Sequence, residues 1–358
     1  MSAVPAPAQG PDAGATWHYG DPFGEQRAAD DGVVVIDRSH RATLTLTCAD
    51  RHRWLHTIST QHVSDLPDGA VVENLNLDGQ GRVEDHWLQT QRGDVTVLDT
   101  EPWRADPLLA YLTKMVFRAD VVVAPGDFAV LTLLGPKVGD VLRDALGIGE
   151  VPAAWTSVPL DGGGFVRTVH DGEVDVLVPR ASADETLKLL VDAGARPAGV
   201  WAYEARRVAA GRPRLCVDTD DRTIPHELGW IGGPGEGAVH LNKGCYRGQE
   251  TVARVHNVGK PPRMLVLLHL DGSADRPVTG DAVLADGKPV GRLGTVVDHV
   301  DEGAIALALL KRGLPADTAL VTGGESPVSA VIDADSLPPA DVVGPGRVAI
   351  QRLRSERR

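Results

Sequence analysis

The feature that most narrows the fold lies after Pro261-Pro262, where the chain changes into short apolar runs separated by Gly, Asp and Pro. The runs 264–270, 282–284, 293–300, 304–310, 319–321 and 328–332 each have strand length. Six strands at that spacing predict a small β-barrel, because closure removes the unpaired edges that short antiparallel strands otherwise leave. Upstream the pattern is mixed. Residues 33–36 form a β-branched run, and 42–48 alternate Ala42, Leu44, Leu46 and Cys48 against threonines, which puts Cys48 on a core face. Asp50 caps a predicted helix with Trp54, Leu55 and Ile58, and a second helix runs from Asp106, with Pro107 in its first turn and Leu108, Leu109, Leu112 and Met115 on its face. Val138, Val141, Leu142 and Ala145 form a third helical stripe, and Ser182-Ala183-Asp184-Glu185 reads as a capping box. Strands and helices do not alternate strictly, so the class is α+β and not a doubly wound sheet.

The sequence divides into a flexible tail over 1–16, rich in Pro, Ala and Gly, an α+β region over 17–261 with an internal boundary near 150–165, and the barrel with a basic tail over 262–358. That last tail ends in Arg352, Arg354, Arg357 and Arg358. The run 213–237 is irregular, and its cluster Gly232-Gly233-Pro234-Gly235-Glu236-Gly237 lacks the GK[ST] ending of a P-loop, so it reads as a flexible connection.

One stretch stands out chemically: Lys243-Gly244-Cys245-Tyr246-Arg247-Gly248-Gln249-Glu250. It sets a thiol between two glycines and two cations. The glycines allow close backbone approach, and Lys243 and Arg247 favour a thiolate by opposing charge, which makes Cys245 a candidate reactive sulfur. A Gly-rich turn before a strand, with a small buried Cys, fits the same spacing. Two adjacent acids, Glu84 and Asp85, follow the turn at Asp78-Gly79; on a strand only one of them can face a given pocket. His52 and His56 stand four apart on a helix, but no third ligand accompanies them and no metal is expected. Cys216, between Leu215 and Val217, reads as a buried apolar thiol.

Composition excludes some functions. With 358 residues, 42% hydrophobic and 24% charged, the chain can build two or three cores. A formal charge of −13 makes direct nucleic-acid binding unexpected, and no apolar run reaches the length of a membrane span. Three cysteines without CxxC spacing indicate neither a disulfide framework nor a cysteine cluster site, and with no signal peptide at the start they point to a cytoplasmic protein.

The Lys243-to-Glu250 stretch, continued by Val252-Ala253-Arg254, resembles the K-G-C-Y-x-G-Q-E signature of the YgfZ family of folate-binding iron–sulfur cluster maintenance proteins, relatives of the glycine-cleavage T-protein. Supporting residues are Asp37-Arg38-Ser39, Gly79 to Val83, Phe117-Arg118-Ala119-Asp120-Val121, Glu204 with Arg207, Asp218, and Ile224-Pro225 with Glu227. The resemblance implies a cloverleaf of two α+β portions and a C-terminal six-stranded β-barrel. It implies tetrahydrofolate or a one-carbon derivative as cofactor and iron–sulfur client enzymes or assembly factors as partners of a monomer. On the same ground Cys245 is the functional thiol, with Lys243 and Arg247 beside it, while Glu84 and Asp85 align with the acidic pair of the T-protein with one acid substituted, Asp85 being the candidate acid and the role of Glu84 against Asp85 remaining open. Tyr246, Gly248, Gln249, Glu250, Arg254 and Glu204 are the implied folate contacts. The pteridine-clamping Glu falls near a shortened loop, where Asp171 and Glu173 both remain open. A folate-dependent aminomethyltransferase, or a folate-binding scaffold with a structural Cys, are the competing readings.

Overall fold

A computed structural model describes residues 2–257, 259–272, 275–324 and 327–338. The chain packs as two compact units that interleave along the sequence. Unit one holds the N-terminal residues through Leu75, Asp85–Arg206 and Gly232–His240; unit two holds Asn76–Glu84, Arg207–Ile231 and the chain from Leu241 onward. Packing therefore does not break at Pro261-Pro262, as the sequence pattern alone suggests.

Unit one contains two main sheets. Its strands are β1 (Val4–Pro5), β2 (Thr16–His18), β3 (Val34–Asp37), β4 (Ala42–Thr47), β5 (Val71–Leu77), β6 (Val83–Arg92), β7 (Val95–Thr100), β8 (Val122–Pro125), β9 (Phe128–Leu134), β10 (Thr156–Pro159), β11 (Phe165–His170), β12 (Glu173–Pro179) and β13 (Arg196–Ala198), with the end of β5 and the start of β6 belonging to unit two. Its helices are α1 (Pro22–Asp31), α2 (Arg51–Ile58), α3 (Ala105–Met115), α4 (Val138–Leu146), α5 (Ala183–Asp192) and α6 (Val200–Ala209), the last crossing into unit two. One sheet runs β10-β11-β12-β9-β3-β13 and the other β5-β6-β7-β4-β8. The first is covered by the apolar stripes of α4 and α5, where Val138, Val141, Leu142 and Leu190 meet Leu131, Leu133, Val174 and Val176. The second is covered by α2 and α3, where Trp54, Leu55, Leu108 and Leu112 meet Leu44, Leu46, Trp87 and Leu98. Each such fully buried side chain stabilises the unit by roughly 1.5–3 kcal/mol.

Several local expectations are corrected. The first sixteen residues do not hang free: β1 pairs with β2, and Ala6 and Ala15 are buried against Ala29, Val34 and Ile36. Small residues lose little side-chain entropy on ordering, so a Pro/Ala-rich segment can lie flat on a core. The Asp50 carboxylate accepts from the Asp120 N–H at 2.9 Å instead of capping α2, and Ser182 makes no side-chain cap because a 3-10 turn, Arg180–Ser182, leads directly into α5. The glycine cluster is a tied loop: Gln61 Nε2 donates to the carbonyls of Gly237 (2.6 Å) and Gly232 (3.3 Å).

Unit two is built on a closed barrel of six antiparallel strands: β14 (Arg263–Leu270), β15 (Ala282–Ala285), β16 (Lys288–His299), β17 (Gly303–Lys311), β18 (Leu320–Thr322) and β19 (Ser329–Ile332). The order is β14-β17-β16-β15-β18-β19, with β19 closing on β14. Met264, Val266, Leu268 and Leu270 alternate inward along β14, and Ala304, Ala306, Ala308 and Leu310 along β17, so small and large residues share the interior. The expected barrel is present. Unit two also holds α7 (Gln249–Asn257). The arginines of the expected basic tail lie outside the described residues.

Candidate functional site

The motif in unit two is a turn that feeds α7, not a strand. Its two glycines do different things. Gly248 sits at φ 83°, and a Cβ there would lie 2.6 Å from the Asp78 carbonyl and 2.9 Å from the Gly81 Cα. Gly81, at φ 79°, would in turn place a Cβ 2.9 Å from Thr251. The Asp78–Gly81 turn and the start of α7 therefore touch at backbone distance, which only glycine permits on both sides. Gly244 faces open space. The turn is itself held by Asp78 Oδ1, which accepts from the N–H groups of Gln80 and Arg82 at 2.8 Å each.

A second clamp joins the same segments. Arg247 Nη1 and Nη2 donate to Glu84 Oε2 (2.9 Å) and Oε1 (3.4 Å), while Asn76 Nδ2 donates to Glu84 Oε2 at 3.2 Å. One of the two cations expected to support the thiolate is thus paired with a carboxylate. Gln249 Nε2 closes the loop on the Lys243 carbonyl at 3.3 Å. Within this frame Cys245 is a free, exposed thiol between buried Lys243 and buried Tyr246. The Lys243 ammonium lies 5.3 Å from the Tyr246 ring centroid, and burial pushes its pKa down to about 8. Burial also pushes the Tyr246 phenol up to about 12. Glu250 and Arg254 are exposed on α7, and the Arg254 guanidinium has no side-chain partner among the described residues.

The remaining candidates belong to unit one. Strand alternation sends Asp85 inward and leaves Glu84 half-buried on the opposite face. Asp85 is 1% exposed, and its Oδ1 accepts from Arg104 Nε (2.9 Å) and Nη2 (2.6 Å), a partner that the sequence did not reveal. Glu204 is buried on α6. Asp171 is exposed in the turn between β11 and β12, whereas Glu173 is buried at the start of β12. His56 does not pair with His52; its ring packs edge-on against His62 with centroids 4.7 Å apart, and His62 lies 5.3 Å from His240. Among the described residues no group of His, Cys, Asp or Glu is placed to hold a metal ion, and no helix is long and apolar enough to cross a membrane.

The family description "GCVT N-terminal domain" matches residues 22–231, more than half of the chain. The chain belongs to that family. It is a YgfZ-like, GcvT-related protein, 29% identical over 280 residues to the tRNA-modifying protein YgfZ of Escherichia coli O157:H7, covering 75% of this chain and 82% of that one. It is 27% identical over 312 residues to a putative chloroplastic transferase of Arabidopsis thaliana, covering 83% of this chain and 70% of the relative. The crystal structure of glycine cleavage system aminomethyltransferase T from Bartonella henselae superposes with a TM-score of 0.81 at 17% identity, covering 93% of each chain. The T-protein-like fold is therefore that of this chain.

Several residues quoted for the family resemblance prove to be structural in unit two. Arg207 Nη1 donates to Asp218 Oδ2 at 2.9 Å, and Asp218 also accepts from the N–H groups of Arg214 (2.7 Å) and Thr295 (2.6 Å). Arg263 donates to Asp220 and Glu227, with contacts of 2.6–3.0 Å. Burial alone would raise Asp220, but its bonds to Arg263 and Thr223 hold it at about 2. These pairs pin the irregular 213–231 run to the barrel, so its length serves packing. Cys216 is exposed, not buried, because its φ of 68° turns the side chain away from the core that holds Leu215. Cys48, at φ 76°, is half-buried at the end of β4.

Sequence reasoning also missed a buried polar network in unit one. Arg167 on β11 pairs with Asp175 on β12 and with Asp99 on β7, which joins the two sheets. Thr132 and Arg38 complete the shell of Asp175, and Arg41 reaches Asp99 (2.6 Å) and Glu101 (3.1 Å). Burial alone would raise Asp175, yet Arg167, Arg38 and Thr132 together hold it below the ordinary carboxylate range. Arg38 also stacks over the Tyr203 ring at 3.6 Å. The signal was present as single charges inside apolar strands, Val166-Arg167-Thr168 and Val174-Asp175-Val176.

Proposed function

We propose that this protein is a tetrahydrofolate-binding factor of the YgfZ type that supports assembly or repair of iron–sulfur clusters in client enzymes, with Cys245 as its functional thiol. The observation that carries the reading is the presentation of Cys245: an exposed sulfur on a loop fixed by the Gly81–Gly248 contact and by the Glu84–Arg247 pair. A thiol kept only for packing would be buried, which argues against the scaffold reading. The residues fit a folate. Its glutamate tail is anionic, and the desolvated Lys243 ammonium and the Arg254 guanidinium, which has no side-chain partner among the described residues, favour such a group.

With its charge of −13 the chain is a poor binder of a phosphate backbone, so any effect on tRNA is assigned to an indirect route. One observation favours aminomethyl transfer as a second reading: Asp85 is buried and held by Arg104, as a positioned acid would be. Calorimetric titration of the full chain with tetrahydrofolate tests the first reading. Saturable binding that survives Cys245→Ala is expected, together with no aminomethyl transfer when a lipoyl carrier protein is supplied. Absence of folate binding would overturn the reading, and robust transfer would replace it with the second.

A further inference from the structure

Unit two carries a cleft at one end of its barrel that is separate from the motif loop. A recess of about 610 Å³ is lined by Pro261, Pro262, Met264, Arg312, Leu314 and Leu337. A smaller recess of about 270 Å³ shares Met264, Arg312 and Pro338 with it and runs past His226. The larger one alone has the size of a site for a small organic molecule, roughly 300–1,000 Å³.

The lining specifies a chemistry. Its walls are mainly Pro, Leu and Met, which suit an apolar body. The Arg312 guanidinium has no side-chain partner among the described residues, whereas Arg41, Arg167, Arg207 and Arg263 are all ion-paired. Both ring nitrogens of His226 are buried without a hydrogen-bond partner. Burial, helped by His256, pushes this imidazole down to about 4, so at neutral pH it offers one donor and one acceptor and no charge. Glu227 beside it is held by Arg263, which also pairs with Asp220, so the three groups together keep one net negative charge. Lys260 also lines the larger recess and already makes an interaction of its own.

We propose that this cleft binds a small monocarboxylate with an apolar body, its carboxylate paired with Arg312 and a polar edge reaching His226. Arg312 beside a neutral imidazole can pair one carboxylate, whereas a phosphate monoester dianion would bring a second negative charge near the Asp220–Arg263–Glu227 group, which already carries a net negative charge.

Titration of the full chain near neutral pH with hydroxyphenylpropionate, its neutral amide and phenyl phosphate tests the proposal. The acid should bind about tenfold or more tightly than either comparator. Arg312→Gln should abolish the preference over the amide, Arg312→Lys should keep part of it, and His226→Asn should weaken the acid severalfold, with each variant's melting curve confirming its fold. Equal affinity for acid and amide, tighter binding of the phosphate, undiminished binding by Arg312→Gln, or no binding to the wild-type chain would each overturn it.

Discussion

At the scale of single residues, the motif separates into positions that shape the backbone and positions left for chemistry. Gly248 holds a left-handed conformation in a space with no room for a Cβ, so Gly248→Ala should lower stability by about 1–3 kcal/mol in urea unfolding. Gly244→Ala, facing open space, should change it by no more than about 0.5 kcal/mol. Equal losses at both positions would contradict the packing described for Gly81 and Thr251. That Cys245 lies in a glycine-bounded turn was legible from the sequence. The commitment of Arg247 to Glu84 was not, because 163 residues separate the pair and nothing local marks it. The exposed setting of Cys216 was hidden for another reason: its apolar neighbours predict burial, and a positive φ reverses the direction of a single side chain.

At the scale of elements, the six barrel strands and the apolar stripes of α2 to α5 were readable, since periodicity reports which face of a strand or helix is buried. The N-terminal β1–β2 pair was not readable, because small residues carry a weak hydrophobic signal even when their backbone is ordered. The polar layer across β9, β11 and β12 was half legible: a charge inside each apolar strand was visible, but its partner was not. That layer makes a firm prediction. Asp175→Asn leaves Arg167 and Arg38 with one carboxylate fewer inside unit one, which should cost about 3–5 kcal/mol in chemical denaturation. Replacing an exposed pair such as Arg143–Asp140 should cost about 1 kcal/mol or less. A comparable loss at the two sites would mean that the buried layer is not what joins the sheets.

At the scale of the whole molecule, pH should act through the groups that burial has shifted. His226 titrates at about 4 in the folded chain against an ordinary 6.5, so the unfolded chain binds its proton more readily. The stability it contributes is complete above pH 6.5 and declines as the pH falls toward 4, by on the order of 3 kcal/mol. Asp175, depressed in the fold, adds a further loss below the ordinary carboxylate range. His226→Asn should therefore flatten the stability profile between pH 6.5 and 4 and leave the steeper acid limb in place; an unchanged slope would contradict the buried, neutral state of this ring. The central claim concerns function, and the most direct measurement is iron–sulfur enzyme activity in cells depleted of this protein and supplied with either the wild-type chain or Cys245→Ala. The account predicts recovery with the wild type and none with the variant at equal protein level. Full recovery with Cys245→Ala would contradict it.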